Sequence, residues 1–233
     1  MVSGTFSLNL LSLFDDPHTP PPAPVPERLS FRSLRESIGD CRACELWEHA
    51  TQPVLGQGAT DGTARLMLVG EQPGDREDIE GLPFVGPAGR VLDRALERAG
   101  IERRDAYVTN VVKHFRYKLR GKRRIHQTPE RVHIVACRPW LDAELTLVKP
   151  QALVCLGATA AQALLGSHVR IGRDRGRPME SGLAELVTLT THPSAILRQR
   201  DGAERDAAMD EFVADLSEVA AWLARNRPHG EHP

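Results

Sequence analysis

Segments that favour strands alternate along this chain with segments that favour helices, and this alternation constrains the fold more than any other feature. Four short apolar runs are typical of buried strands, at residues 65–70, 106–112, 152–157 and 186–191. Helical signals surround them, at residues 30–38, 88–99, 128–148, 158–165 and 203–225, with Ser30 and Thr128 as the expected N-caps of the first and third. Strands separated by helices indicate βαβ units, in which a parallel sheet is covered on both faces. The sequence therefore predicts a three-layer α/β/α sandwich around a central, mainly parallel four-stranded sheet.

The two ends of the chain lie outside this alternation. Residues 15–28 contain six prolines among fourteen residues, which favours an extended or disordered segment. We therefore predict a proline-rich disordered leader over residues 1–29, one folded domain over 30–226 and a tail over 227–233. No apolar run approaches the roughly 20 residues that cross a bilayer, and the start has no basic secretory signal. We expect a cytoplasmic, monomeric protein without a membrane partner.

The positive charge of the chain is concentrated in one segment. Thirty Lys and Arg against thirty-one Asp and Glu give a net charge of −1, which excludes a globally basic DNA binder of the histone type. Residues 113–124 nevertheless contain seven Lys or Arg among twelve, interleaved with Phe115 and Tyr117. Basic side chains contact phosphates and aromatic rings stack on bases, so this loop favours a nucleic-acid interface. The alternative is a solvated surface loop.

A second unusual loop, residues 70–89, is rich in glycine. Its glycines allow a ligand to approach the backbone closely, but it has neither the Gly-Lys-Ser/Thr ending of a Walker A loop nor the spacing of a dinucleotide motif. A planar ligand stacked on Phe84, with the polar residues 71–78 at its edge, is one interpretation. A glycine-rich turn around a core phenylalanine is the other. Because this loop, the basic loop and residues 191–198 all follow strands, we expect them to meet at the carboxyl edge of the sheet.

The four cysteines form one short pair and two distant members. Cys41 and Cys44 make a C-x-x-C pair, and Cys137 and Cys155 follow with seventeen residues between them. In a reducing cytoplasm such a set indicates a metal or cluster site, either zinc or iron–sulfur. The alternative is that Cys137 and Cys155 are buried core thiols.

Five motifs in a fixed order carry a resemblance to a known family. They are GEQPG, LPFVGPAG, TNVVKHF, KRRIH and THPSAILR. With the four cysteines they resemble families 4 and 5 of the uracil-DNA glycosylase superfamily over roughly residues 30–225. The glutamine of GEQPG and the KRRIH insertion are similar to the UdgX branch, whose members end covalently attached to uracil-containing DNA. The resemblance implies uracil-containing DNA as partner, free uracil as product, and a [4Fe–4S] cluster on the four cysteines.

The resemblance also implies roles in uracil recognition. Phe84 would stack on a flipped uracil, and Asn110 would pair with its O4 and N3–H, because an amide both donates and accepts. Gly70 and Asp75 would frame the base. His192 would hydrogen-bond uracil O2 as negative charge develops there.

The residues expected to contact DNA lie in the basic loop and in the last motif. They are Lys113, Lys122, Arg123, Arg124, Ser194 and Arg198.

Two catalytic positions depart from the superfamily pattern. Gln72 stands where the water-activating aspartate would be, and an amide cannot act as a general base. Glu71 could position a water instead. His126, at the end of KRRIH, could attack deoxyribose C1′ after uracil leaves, because neutral imidazole is a good nucleophile. The sequence leaves two alternatives to covalent capture through His126: hydrolytic excision that releases an abasic site, and non-catalytic binding of uracil or damaged DNA.

Overall fold

The computed structural model describes residues 23–60 and 64–227 and has six strands and eight α-helices within those ranges. The strands are β1 (Leu66–Gly70), β2 (Ala106–Asn110), β3 (Tyr117–Arg120), β4 (Arg123–His126), β5 (Ala152–Leu156) and β6 (Leu186–Thr190). The helices are α1 (Phe31–Ile38), α2 (Asp75–Glu80), α3 (Pro87–Arg98), α4 (Arg131–Val148), α5 (Ala158–Leu165), α6 (Ile171–Asp174), α7 (Pro193–Leu197) and α8 (Gly202–Arg225). Short 3₁₀ turns cover Glu45–Glu48 and Arg103–Asp105.

The central sheet has four parallel strands in the order β2-β1-β5-β6. Every residue of these strands is buried, as expected for a parallel sheet covered by helices on both faces. Successive residues of β1 point to opposite faces: Leu66 and Leu68 pack in the core with α3 and α8, whereas Met67 and Val69 pack in the core with α4 and α5. The predicted three-layer sandwich is therefore confirmed.

The basic loop contains regular structure that the sequence did not predict. Strands β3 and β4 pair antiparallel, from Tyr117 opposite His126 to Arg120 opposite Arg123. Gly121 has φ 60°, the left-handed conformation that a tight hairpin turn requires. The alternation of side chains is masked in the sequence because cations occupy both faces. We call residues 117–126 the basic hairpin.

Two further local predictions were wrong. The sequence placed the cap of α4 at Thr128, but the helix begins after Glu130, whose N–H donates to His133 Nδ1 at 2.9 Å. Residues 75–80, expected within a loop, form the short acidic helix α2, which Gly81 ends in the left-handed conformation. By contrast, the predicted Ser30 cap of α1 is confirmed, because its hydroxyl accepts the Ser33 N–H.

The structure describes the predicted leader from residue 23 onward. Residues 1–22 of the leader and residues 228–233 of the tail lie outside the described residues. Ala23 is 3% exposed, and its N–H donates to the Ala136 carbonyl of α4 at 2.8 Å. The end of the predicted leader is therefore packed on the domain at helix α4. Within the described ranges, no helix is long and apolar enough to cross a membrane.

Candidate active site

Three loops meet at the carboxyl edge of the sheet: the glycine-rich loop, the basic loop and residues 191–198. Strand β1 ends at Gly70, directly opposite Asn110 at the end of β2. Strand β6 ends two residues before His192, which caps α7. Because parallel strands end at one edge, residues from distant parts of the chain meet there.

Gly70, Phe84 and Asn110 lie close together at this edge, and we call the space that they border the candidate pocket. A β-carbon on Gly70 would lie 2.4 Å from Asn110 Oδ1 and 2.6 Å from Phe84 Cζ. The Phe84 and His192 rings have centroids 6.0 Å apart. Only glycine leaves room at position 70 for an aromatic ring and an amide to face the same space.

Phe84 is held in a strained conformation. Its φ is 55°, in the left-handed region that a phenylalanine rarely occupies. Helix α3 approaches it closely, since a β-carbon on Gly89 would lie 1.7 Å from the Phe84 carbonyl oxygen. The ring lies against Gly70 at the edge of the hydrophobic cluster that includes Leu68, and the residue is 5% exposed.

Asn110 presents an unpartnered acceptor to the pocket. The residue is 2% exposed, and its Oδ1 accepts no hydrogen bond within the described part of the chain. Buried acceptors are nearly always paired, so such an atom needs an explanation. A ligand that donates an N–H to this oxygen provides one.

His192 is a neutral donor. Burial lowers the pKa of His192 to about 4, so its imidazole is uncharged at neutral pH. The Ser194 backbone N–H donates to His192 Nδ1 at 3.2 Å, which places the ring proton on Nε2. The Ser194 hydroxyl also lies 2.9 Å from Nδ1, and Arg198 donates to that hydroxyl at 3.0 Å.

Glu71 and His126 face each other across the pocket mouth. His126 Nε2 lies 3.2 Å from Glu71 Oε1, and the Thr159 hydroxyl donates to the other carboxylate oxygen. Burial raises the pKa of Glu71, but the hydrogen bonds from His126 and Thr159 outweigh it and leave this pKa below its usual value. Both groups act electrostatically on the pKa of His192, so all three share one site.

Gln72 fastens the base of the basic hairpin. Its Nε2 donates to the Arg116 carbonyl at 3.1 Å and to the Gln127 carbonyl at 3.0 Å, and its Oε1 accepts the Arg116 N–H at 3.1 Å. All its hydrogen-bonding groups are thus engaged by the two residues that flank the hairpin. The structure gives Gln72 a positioning contact with the segment that carries His126.

Arg124 anchors the same hairpin at its side. Its guanidinium donates to Asp75 at 2.6 Å and to Asp78 at 2.5 Å, and lies over the rings of Phe115 and Tyr117. Asp75 was expected to frame the base and Arg124 to contact DNA. In this structure the two side chains bind each other, which ties α2 to the hairpin.

The remaining residues expected to contact DNA differ sharply in exposure. Lys122 and Arg123 are exposed at the hairpin turn and make no ion pair within the described ranges. Arg198 is exposed in the last loop. Lys113 is fully buried and paired with Glu144, so its predicted contact with DNA is wrong.

The cysteines lie near one another without forming a closed group. Cys41 and Cys44 act electrostatically on the pKa of Cys137, whereas Cys155 lacks such neighbours but shares a hydrophobic cluster with Cys137. Burial raises the pKa of Cys137 and Cys155 to about 12. Within residues 23–60 and 64–227, no three His, Cys, Asp or Glu side chains are arranged as ligands of one metal ion. The four thiols are the residue type that holds an iron–sulfur cluster, whereas their sulfur atoms are not brought together as the ligands of one group.

Two of the cysteine sulfur atoms each accept a hydrogen bond from an N–H group. Trp140 Nε1 donates to Cys41 Sγ at 3.4 Å, and the Lys113 N–H donates to Cys137 Sγ at 3.5 Å. Such hydrogen bonds are common around thiolate ligands.

Sequence reasoning missed three residues that shape the site. Thr159 binds Glu71, Asp78 binds Arg124, and Glu144 binds Lys113. The sequence could have indicated Thr159 as a site residue, because it lies at the start of the helix that follows the third predicted strand. Glu144 had none, since it lies within an otherwise ordinary helix.

Comparisons with known proteins agree with this geometry. A family model described as the uracil DNA glycosylase superfamily matches residues 57–217. The chain is 37% identical to a type-4 uracil-DNA glycosylase of Thermotoga maritima, over 77% of this chain and 89% of that protein. It is 34% identical to a type-4 uracil-DNA glycosylase of Pyrobaculum aerophilum, over 81% of this chain and 92% of that protein. A type-5 uracil-DNA glycosylase of Pyrobaculum aerophilum is 32% identical over 61% of this chain and 64% of its own length.

Proposed function

The chain belongs to the uracil-DNA glycosylase superfamily and is related to its type-4 members, and from this premise we propose that it excises uracil from DNA and is then captured on the deoxyribose through His126. The capture step would place it in the UdgX branch. Its substrate would be uracil-containing DNA, with free uracil as the released product.

The unpartnered Asn110 Oδ1 is the observation that carries the excision proposal. Uracil N3–H donates and uracil O4 accepts, so the two atoms of one amide satisfy this edge of the base. Phe84 supplies the face on which a flipped base stacks. Cytosine presents an acceptor at N3 and a donor at C4, which reverses both hydrogen bonds and selects against it.

His192 would act on bond cleavage. As the C1′–N1 bond breaks, its electron pair goes to uracil and negative charge reaches O2. The Nε2–H of neutral His192 can donate to that oxygen and stabilise the charge without first losing a proton. The sugar is left as an oxocarbenium ion, positive at C1′.

The contact between His126 and Glu71 supports capture. A lone pair of the imidazole would form a C–N bond to C1′, and the proton on the opposite ring nitrogen would pass to the Glu71 carboxylate. The 3.2 Å separation allows this transfer, and the lowered pKa of Glu71 keeps the carboxylate ionised, so that it would stabilise the imidazolium until the proton passes on to water. The resulting neutral N-glycosyl imidazole has no easy leaving group, so the protein stays attached to DNA.

A denaturing gel distinguishes this proposal from its alternatives. The protein is incubated with a uracil oligonucleotide and boiled in detergent. A shifted protein–DNA band indicates capture, free alkali-labile DNA indicates hydrolytic excision, and intact DNA indicates binding alone. His126→Ser should abolish the shifted band while uracil is still released, and peptide mapping should place the deoxyribose on His126. His192→Ala is the matched comparison, because it should slow uracil release and adduct formation together. A shifted band with His126→Ser would refute the nucleophile assignment.

The four cysteines would hold a [4Fe–4S] cluster. Cys41 and Cys44 precede the domain body, Cys137 lies on α4 and Cys155 on β5, so the group would brace the N-terminal segment against the sheet. Anaerobically purified protein should be brown and contain about four irons per chain. Cys44→Ser should remove the iron, and a colourless protein with one zinc would refute the cluster.

A further inference from the structure

A buried ion pair lies directly beneath the uracil-reading amide. Lys113 Nζ is 2.5 Å from Glu144 Oε2, and the two side chains are 1% and 0% exposed. No other ion pair in the described ranges has both side chains buried to this degree. Removing two charges from water costs free energy, and apolar residues of similar shape often serve stability as well. The location of the pair therefore calls for a reason other than stability.

The lysine end of the pair holds the backbone of Asn110. Lys113 Nζ donates to the Asn110 carbonyl oxygen at 2.6 Å and to the Thr109 hydroxyl at 2.8 Å. With the bond to Glu144, all three ammonium protons are used. The side chain thus reaches back and closes the turn that follows β2.

The glutamate end is fixed equally well. Glu144 Oε1 accepts the Gly56 N–H at 2.7 Å and the Tyr107 hydroxyl at 3.0 Å, and Oε2 accepts the Thr109 hydroxyl at 2.9 Å. Helix α4, strand β2 and the segment before β1 all meet at this carboxylate. Every polar group in the network has a partner, which makes it rigid.

The same turn is joined to the catalytic loop. The Val111 N–H donates to the Gly70 carbonyl at 2.9 Å, and the Val112 N–H donates to the Glu71 carbonyl at 3.0 Å. Displacement of the turn would therefore move Asn110 and the backbone of Glu71 together.

We propose that the Lys113–Glu144 pair is a positioning unit, which fixes Asn110 for uracil recognition. The inference rests on the proposed excision of uracil. It assigns a role in the reaction to two residues that never touch the substrate.

The test is a neutral, isosteric replacement, Lys113→Met with Glu144→Gln. The glutamine can still accept from Gly56 and Tyr107 and can donate to Thr109, so the fold should persist with a similar melting temperature. The single-turnover rate of uracil release should fall about tenfold to a hundredfold, as expected for a small misplacement of a recognition group. Affinity for undamaged DNA should not change. The exposed pair Arg98–Asp210, replaced as Arg98→Gln with Asp210→Asn, is the matched control and should leave all values unchanged.

A comparison in an Asn110→Ala background distinguishes a positioning role of the ion pair from general structural support. In an Asn110→Ala background the double replacement should slow the reaction little further, because both changes act through one amide. Thr109→Val, which removes one ligand of the ammonium group, should give a smaller loss with the same coupling, and serves if the double variant does not fold. The positioning role would be refuted if the folded variants release uracil as fast as an active wild type. It would also be refuted if the losses from Asn110→Ala and from the double replacement multiply. An inactive wild type would instead refute the proposed function.

Discussion

The hydrogen bonds of Gln72 predict how firmly the basic hairpin is held. Gln72→Leu keeps the size of a side chain that is 7% exposed but removes all three hydrogen bonds to Arg116 and Gln127. At about 1 kcal/mol for each hydrogen bond, the free energy of hairpin opening should fall by about 3 kcal/mol. Since about 1.4 kcal/mol corresponds to a factor of ten, the open population should rise about a hundredfold.

Limited proteolysis with trypsin measures this opening. Lys122 and Arg123 lie at the hairpin turn, and cleavage there tracks the open population when opening and closing are fast. The Gln72→Leu variant should be cut in the hairpin about a hundredfold faster than the wild type. The rate of cleavage at other sites and the melting temperature of the protein should change little.

A second glutamine supplies the control. Gln162 donates to the Val169 carbonyl at 3.2 Å, far along the chain from the hairpin, and Gln162→Leu should leave hairpin cleavage unchanged. Because His126 ends the hairpin, Gln72→Leu should also shift products from the covalent adduct toward free abasic DNA. An unchanged cleavage rate in the Gln72→Leu variant would refute the claim that Gln72 fastens the hairpin.

Three further predictions follow from the same contacts. Asn110→Ala leaves the uracil edge unpaired and should cost about 1–3 kcal/mol in transition-state binding, measured as kcat/KM on uracil DNA, while undamaged DNA is bound as before. Lys122→Gln with Arg123→Gln should reduce the log–log salt slope of DNA binding by up to about two, one for each lost phosphate contact, and an unchanged slope would place DNA elsewhere. Burial lowers the pKa of His114 and His192 to about 4, so the unfolded state binds more protons between about pH 4 and 6.5. Urea unfolding should therefore show stability falling as pH drops through this window, and His114→Gln should flatten the fall.

The fold was predictable because burial on both faces leaves a strong sequence signal. The runs at residues 66–70 and 152–156 are apolar throughout, and only a covered parallel strand accepts such a run. The basic hairpin was not predictable in the same way. Leu119 is 66% exposed and Ile125 is 37% exposed, so neither face of the hairpin carries a continuous apolar pattern. Its pairing depends on Gly121 and on contacts with α2.

The meeting of Glu71, Asn110 and His192 followed from topology, since each stands at or just after the end of a parallel strand. Topology did not predict which cations of the basic run are buried, which are paired and which are exposed. Lys113 and Arg124 belong to the same basic run, yet Glu144 encloses the first, Asp75 and Asp78 bind the second, and the turn cations stay exposed. The partners that decide this lie between 31 and 49 residues away in the chain, and no local pattern indicates them.

In the proposed capture, His126 and water compete for the same sugar carbon, so the residues that anchor the hairpin would influence which product forms. The His126 side chain is 49% exposed, so water reaches the same region, and an oxocarbenium ion reacts with whichever nucleophile is better placed. A group held at the reaction distance has an effective concentration far above that of bulk water. That advantage exists only while the hairpin stays closed. Gln72 at its base and Arg124 at its side are then as important for capture as the imidazole, although neither reacts. An aspartate at position 72 would lose both carbonyl contacts, because a carboxylate cannot donate to them. In the proposed mechanism, therefore, the side chain that holds the nucleophile in place occupies the position from which a water would otherwise be activated.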